Sequence, residues 1–496
     1  MQISTKELNE ILADPMLAKS TLLIDVREHH EFCDRHLPNS FKIPLGELPR
    51  VVHKGYLPFD KKIIIICNTI NRSNAAARYL KRQGYKNVFV VPGISNWNGL
   101  IEQDKDELTL RELIRGGERN VVYLDHASTT PVHSEVVAGI NWALKEGFGN
   151  PSSIHYDGRI AKEAMVKARE NVARLFKAKE SEIIYTSGGT EANFLAIWGI
   201  LEALPQERKH FVTSVIEHPS ILAHLPRLQE KGYKVTVLPV DHYGAVNPKD
   251  LESILTKNVG LVSIMYANNE VGTIQPIEEL AYLTHKHGAY FHTDLIQGLG
   301  FSGFLQSHER AIFDAASISG HKIYAPKGIG ALFLKEGTPF LPLISGGGQE
   351  NNLRSGTENM PGIIGFGIAC ELILEFQSKV QSVRELRDML ETTLKEEFGA
   401  KIYGHPSKRL ANNLCFSLDD YPAHELVLDL DLEGVACSSG SACSGGKKPS
   451  HVIAALTNKQ KAHAVRFSLS HQTTFDQINQ VSEILRKLIS FRRLLC

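Results

Sequence analysis

Ala315-Ala316-Ser317-Ile318-Ser319-Gly320-His321-Lys322, followed by Ile323-Tyr324-Ala325-Pro326-Lys327-Gly328, is the stretch on which the fold reading turns. The small apolar residues from Ala315 to Ile318 predict a strand, and Gly320, Pro326 and Gly328 predict a loop after it. Lys322 then stands at a strand end, beside hydroxyl and imidazole groups suited to an anion. A lysine held there can form a Schiff base with an aldehyde once its pKa falls below the free value. Taken alone, the segment reads more simply as a surface lysine after a strand. Its company elsewhere in the chain decides between the two.

Outward from that stretch, short apolar runs alternate with helical segments from Val121 onward, which predicts an α/β fold with a mainly parallel sheet. Glu182-Ile183-Ile184-Tyr185-Thr186-Ser187 predicts a strand, Gly188-Gly189-Thr190 a turn, and Glu191 a helix start. Such a join offers N–H groups and a hydroxyl to a phosphate, although many strand-to-helix joins share it. Asp294 closes the apolar run Tyr290-Phe291-His292-Thr293. A buried carboxylate calls for a positive partner, and a pyridinium nitrogen would supply one. Kept protonated, such a ring withdraws electrons from a bound amino acid. His218 follows another apolar run. Taken singly, Asp294 reads as a helix cap and His218 as a satisfied core histidine.

Composition bounds the rest. A chain of 496 residues exceeds one core and predicts two or three domains. Lys+Arg and Asp+Glu both number 55, so no basic footprint calls for direct nucleic acid binding. The N-terminus is polar, unlike a secretory signal, and no apolar run approaches the roughly 20 residues of a membrane span. The 7 cysteines include no C-x-x-C pair, which argues against a disulfide framework or a zinc site. No metal is expected, and a reducing, cytoplasmic setting fits best.

Residues 1–100 form a separate small α/β pattern. Leu22 to Val26 and Lys62 to Ile66 are continuous apolar runs expected of buried parallel strands. Cys67-Asn68-Thr69-Ile70-Asn71-Arg72-Ser73 follows, then a good helix sequence from Asn74. A cysteine there faces loop N–H groups and a helix N-terminus, which stabilise a thiolate or persulfide, and Arg72 adds to that field. The unit resembles the rhodanese family through Asp25-Val26-Arg27, the segment from Arg35 to Pro44, the Cys67–Arg72 loop, and Pro92 to Trp97. The resemblance implies that Cys67 carries a transferable sulfur. One departure is Ile70, where the family usually has glycine; a β-branched residue cannot supply a positive φ cheaply. A module that only docks a partner is the alternative. Cys33 is read as incidental, and residues 101–120, ending at Gly116-Gly117, as a linker or last helix.

Residues 121–496 resemble the cysteine desulfurases, a branch of the fold-type I pyridoxal-phosphate (PLP) enzymes. The resemblance rests on Tyr123 to Pro131, Gly149 to Ser152, Ser187 to Glu191, Glu217-His218, Asn268 to Gly272, Asp294 to Gln297, Ser319 to Lys322 and Arg354 to Thr357. It implies a large PLP-binding domain over about 135–375 and a smaller α+β domain from about 376–496 that includes 121–134. It also implies roles. Lys322 holds PLP as a Schiff base and moves protons, with His218 stacking on the ring and sharing that duty. Asp294 pairs with the ring nitrogen and Gln297 with the ring oxygen. Gly189, Thr190, Ser319 and His321 bind the phosphate, joined by Thr357 of a second subunit, which implies a homodimer. Asn269 and Arg466 orient the substrate, Arg466 through a bidentate grip on its carboxylate.

Gly434 to Ser450 is rich in Ser and Gly, so Cys443 is expected on a polar loop and not in a core. The resemblance makes Cys443 the thiol that takes sulfur from L-cysteine; Cys437, nearer an apolar stretch, reads as structural. Lys447 and Lys448 read as a solvated pair. The expected activity is conversion of L-cysteine to L-alanine with persulfide left on Cys443. The fusion suggests relay to Cys67 and delivery to a sulfur-acceptor protein for iron–sulfur assembly or tRNA thiolation. Selenocysteine lyase or aminotransferase activity, with the first domain only docking a partner, is the rival.

Overall fold

The computed structural model describes residues 2–91, 93, 101, 121–306, 312–439, 449–457 and 463–495. Cys443, Lys447, Lys448, Cys496, most of the Pro92–Trp97 motif and most of the 101–120 join lie outside these residues. Contacts divide the chain into two units. One comprises Met1–Leu124, Ser417–Cys437 and Phe475–Cys496, and the other Asp125–Phe416 and Ser438–Thr474.

The first unit holds a four-stranded parallel sheet of β1 (Thr21–Asp25), β2 (Ser40–Lys42), β3 (Lys62–Ile66) and β4 (Val88–Val90), in the order β2-β1-β3-β4. The isoleucines of β3 are buried on both faces, as the unbroken apolar run requires. Helix Thr5–Ala13 opens with a capping box between Ser4 and Glu7. A fifth short strand, β5 (Val122–Tyr123), pairs in parallel with β15 (Val435–Ala436). Helices Ala423–Leu432 and Phe475–Leu495 complete this unit.

Helix Ala423–Leu432 is joined to the first sheet's own core. Leu432 is buried within the cluster built on Ile24, Ile65 and Leu80, with Leu428 packed against it. Asp429, also buried, takes Arg78 Nε at 2.8 Å, Arg82 Nη1 at 3.4 Å and the Tyr421 hydroxyl at 2.5 Å. Arg78 also pairs with Glu425, and Arg82 with Glu433.

The second unit is built on a seven-stranded sheet. In chain order its strands are β6 (Ile183–Thr186), β7 (His210–Ser214), β8 (Lys234–Leu238), β9 (Val259–Ser263), β10 (Tyr290–Asp294), β11 (Ala315–Ser319) and β12 (Gly330–Leu334). Their spatial order is β6-β12-β11-β10-β9-β7-β8, and only β12 runs against its neighbours. Six strands therefore end on one edge, where crossover connections leave room for a ligand. A smaller sheet of β13 (Lys401–Tyr403), β14 (Asn413–Ser417) and β16 (Val465–Ser468) places Arg466 on a fully buried strand.

Helix Met360–Glu375 packs on helices Ser134–Lys145 and Tyr156–Phe176 through the face of Ile364, Gly365, Gly367 and Ile368, which meets Val136, Gly139, Ile140 and Ala168. The stretch Met360–Phe398 is long and apolar enough by composition to cross a bilayer, which corrects the reading that no run approaches that length. Most of its apolar window is buried inside the protein, so core packing accounts for its composition.

Candidate functional site

The strand ends deliver the site. Asp294 closes β10, Ser319 closes β11, and Lys322 follows in a single 3-10 turn, Gly320–Lys322. Tyr324, two residues on, adopts φ 69°, a left-handed conformation unusual for a bulky residue and typical of strained functional loops. Its N–H donates to Thr130 Oγ1 at 2.8 Å, which holds that turn in place.

Asp294, Ser319 and Lys322 line a cavity of about 340 Å³ with Gly189, Thr190, His218, Asn269, Gln297, His321 and Arg466. Ten side chains or glycines singled out in the sequence thus meet in one place. Thr357 is exposed and does not line it, and its expected role belongs to a second subunit. Cys443 lies outside the described residues.

Lys322 Nζ donates to the carbonyls of Ala127 and Ser128 at 2.6 and 2.7 Å. Asp294 is buried, and its carboxyl accepts from Asn193 Nδ2 at 2.8 Å and from the Ile296 N–H at 3.0 Å. Burial pushes its pKa up, opposed by His218, the two hydrogen bonds and Lys322. Both hydrogen bonds come from neutral donors, so a cationic ring nitrogen is the kind of partner that would hold it ionised. Across the cavity Gly188, at φ 151°, turns the chain into helix Gly189–Ala203. A Cβ on Gly189 would fall 2.1 Å from Ile296 Cδ1, so a larger residue there would have to displace the Ile296 side chain that lines the cavity. A 15-residue helix aimed by its N-terminus at the cavity, with Thr190 and Ser319 hydroxyls beside it, suits a phosphate. Burial, with Lys322 and Lys327, lowers the His321 pKa to about 4, so its ring is neutral and can donate one hydrogen bond. These donors fit PLP.

His218 Nδ1 accepts from the Ser220 N–H at 3.1 Å and lies 2.8 Å from Ser220 Oγ. Its ring proton is therefore on Nε2. Ser220 Oγ in turn accepts from Asn193 Nδ2 at 2.9 Å. One amide thus joins Asp294 to the His218 support. Asn193 was missed in the sequence, yet it follows Gly189 by one helical turn and shares its face.

Arg466 is 1% exposed, so it is not a surface arginine of its strand. Its Nη2 donates to Asp125 Oδ1 at 2.8 Å and Ser128 Oγ at 2.6 Å, and its Nη1 to the Asn269 carbonyl at 2.7 Å. Nε has no hydrogen-bond partner among the described residues. Asp125 and Ser128 are further supports that had no role in the sequence reading, although both fall inside the Tyr123–Pro131 motif.

Cys67 belongs to the other unit. It is buried directly after β3, and burial raises its thiol pKa, opposed by hydrogen bonds from Thr69 and by the charge of Arg72. Arg72 is committed to Glu31, through Nη1 and Nη2 contacts of 2.8 Å each. Ile70 needs no positive φ, because it is the first residue of helix Ile70–Arg82. Cys33, read as incidental, is buried on helix His29–Asp34, 3.5 Å from His29 Nε2.

Comparison with known proteins agrees with this geometry. The class-V aminotransferase family profile matches residues 122–481, and the rhodanese-like domain profile matches residues 4–100. The cysteine desulfurase IscS of Dictyoglomus turgidum is 45% identical over 373 residues, covering 74% of this chain and 94% of the relative. Cysteine desulfurase NifS of Azotobacter vinelandii is 42% identical over 366 residues, covering 73% and 90%. Among solved structures, a NifS-like protein superposes with a TM-score of 0.70 at 34% identity, covering 75% of this chain and all of that one. A structure described as SspA in complex with cysteine gives a TM-score of 0.61 at 31% identity, covering 71% of this chain and 100% of that one.

Proposed function

Because the chain belongs to the cysteine desulfurases, PLP-dependent enzymes of the class-V aminotransferase family, and carries a rhodanese-like domain ahead of that fold, we propose that its pocket moves sulfur from L-cysteine to Cys443 and leaves L-alanine. The observation that carries the residue assignment is the convergence of Lys322, Asp294, His218, Thr190 and Arg466 on one cavity.

When bound, PLP supplies an electron sink next to the amino acid's α-carbon. Lys322 tethers its aldehyde group, and Asp294 holds a positive charge at the ring nitrogen. Thr190, Ser319 and His321, with the Gly189 backbone, take the phosphate, and Gln297 the ring oxygen. Arg466, which lines the cavity, receives the substrate carboxylate, while Asp125 and Ser128 hold its Nη2 still. With Nδ1 occupied by Ser220, His218 can donate from Nε2 but cannot accept there, so we assign proton removal to Lys322 and proton delivery to His218. Cys443 would attack the substrate sulfur as a thiolate: its S–S bond forms as the substrate's Cβ–S bond breaks, the electron pair stays with the carbon skeleton that the bound cofactor would stabilise, and a proton delivered to Cβ completes the methyl group of alanine.

The test is direct. Purified enzyme with L-cysteine should yield alanine and a persulfide on Cys443 by mass spectrometry. Cys443→Ser should bind cysteine without transferring its sulfur, and Cys437→Ser should remain active. The reverse pattern overturns the assignment.

Further parts of the reading rest on the same premise. We place the domain boundaries near residues 100 and 120, with the smaller desulfurase domain formed by 376–496 and 121–134. A homodimer would bring Thr357 of one subunit to the phosphate of the other. The sulfur would pass to an acceptor protein of iron–sulfur assembly or tRNA thiolation in the cytoplasm. Relay through Cys67 is a second reading: the hydrogen bonds of Thr69 to its sulfur and the charge of Arg72 favour a sulfur anion there, against the burial that raises its thiol pKa. Label reaching Cys67 in wild type but not in Cys443→Ser supports that relay, and equal labelling rejects it.

A further inference from the structure

Glu270 is a buried carboxyl beside the pocket that the roles above leave unused. It accepts the Ser450 hydroxyl at 2.5 Å. Ser450 is itself buried and caps helix His451–Thr457: its Oγ accepts from the Ile453 N–H at 3.0 Å, and its carbonyl from Ala454. With Oγ accepting from the helix, its single hydrogen remains available to Glu270. The same helix is held a second time, since His451 Nε2 lies 3.0 Å from the Glu217 carbonyl.

The backbone of Glu270 is pinned to the substrate side. Its N–H donates to Asn268 Oδ1 at 2.9 Å, and the adjacent Asn269 carbonyl takes Arg466 Nη1. Arg466 also exchanges two main-chain hydrogen bonds with Ser438, of 2.8 and 3.2 Å. Ser438 and Ser450 stand on either side of Cys443 in the sequence. Both are therefore tied to the neighbourhood of the arginine that faces the substrate, one through main chain and the other through the Glu270 side chain.

We propose that Glu270 is a positioning residue for sulfur transfer: by holding Ser450, it fixes the point from which the chain runs back to Cys443, so the thiol's approach depends on a carboxyl remote from the reacting atoms. The inference rests on Cys443 being the sulfur acceptor. It distinguishes Glu270 from a residue that merely stabilises the fold, because such a residue would alter thermal stability and cofactor retention while leaving sulfur transfer unchanged per folded, loaded site.

The experiment uses the full-length, PLP-loaded enzyme with Glu270→Ala, Glu270→Gln, Ser450→Ala and the double Glu270→Ala/Ser450→Ala variant. Alanine formation gives kcat and KM, normalised to bound cofactor, and mass spectrometry after one turnover gives persulfide at Cys443. If the contact positions the thiol, its loss predicts a fall of about tenfold or more in kcat and in persulfide formation for either alanine variant, with KM within about twofold. Glutamine retains an acceptor for Ser450 and should restore kcat to within about threefold of wild type. The double variant should be no worse than the poorer single variant, as two ends of one contact require. Wild-type kcat in both alanine variants, independent multiplicative losses, or losses seen only in KM and cofactor content overturn the inference. If Glu270→Ala does not fold, Ser450→Ala and Glu270→Gln carry the same test. Should Cys443→Ser transfer sulfur normally, the underlying assignment fails; should it be inert while Ser450→Ala and Glu270→Ala match wild type, only the role of Glu270 fails.

Discussion

Replacing Asn193 with leucine removes one amide that serves two neighbours of the cofactor site. Its Nδ2 donates to Asp294 Oδ2 at 2.8 Å and to Ser220 Oγ at 2.9 Å. The first of these is a hydrogen bond to a charged group, worth about 1.5–3 kcal/mol, and the second a neutral one of about 1 kcal/mol. Leucine also removes Asn193 Oδ1, which is buried without a partner among the described residues, so part of the folding cost is returned. Loss should therefore fall on the cofactor-bound state. With one donor fewer, the Asp294 pKa moves further up, and the carboxylate holds a cationic ring nitrogen less well. About 1.5–3 kcal/mol corresponds to a weakening of about 10- to 150-fold in PLP affinity. Titrating apoenzyme with PLP by absorbance measures this, and kcat at saturating PLP should fall as well. Ser220→Ala loses only the neutral contacts and should weaken binding by about fivefold. PLP affinity within twofold of wild type in Asn193→Leu, or equal damage from Ser220→Ala, would refute the reasoning.

Other outcomes are equally checkable. Arg466→Lys keeps the charge but loses the planar fork, so the KM for L-cysteine should rise by about tenfold or more in steady-state assays, with PLP binding intact. Asp429→Ala removes one acid from a cluster in which Arg78 keeps Glu425 and Arg82 keeps Glu433, and the lost hydrogen bonds to a charged group should lower stability by about 1.5–3 kcal/mol in urea titrations. Burial raises the Glu217 pKa to about 8, against hydrogen bonds from Ser214 and Met265 and with a further push from Asp294. The folded state then binds more protons than the unfolded one between about pH 4.5 and 8, so stability falls as pH rises through that window. Glu217→Gln should flatten that fall, measured as unfolding midpoint against pH.

Much of the site was legible because its residues sit at punctuation points of the sequence. Asp294 and Ser319 terminate apolar runs, and Gly188-Gly189-Thr190 marks a strand-to-helix join, so short-range pattern carried their positions. Lys322 emerged by its closeness to Ser319. What short-range pattern cannot show is which polar groups meet across the sheet. Asn193 looks like any polar residue early in a helix until Asp294, 101 positions later, is packed against it. Asp125 and Ser128 gain meaning only when Arg466 arrives from a strand about 340 residues further on. In the Cys67 loop, Ile70 replaces the usual glycine without backbone strain, because the helix begins at that residue.

Leu432 and Asp429 bear on how this gene could ever be divided. Both belong to the C-terminal part of the chain, yet they fill the core and the charge cluster of the N-terminal module. Deleting that module would uncover a leucine ridge and strand two acids on one helix and a third at its C-cap, an adhesive surface in a crowded cell. The partnership works as a ratchet: once those leucines had moved inward, shedding the passenger required rewriting the carrier.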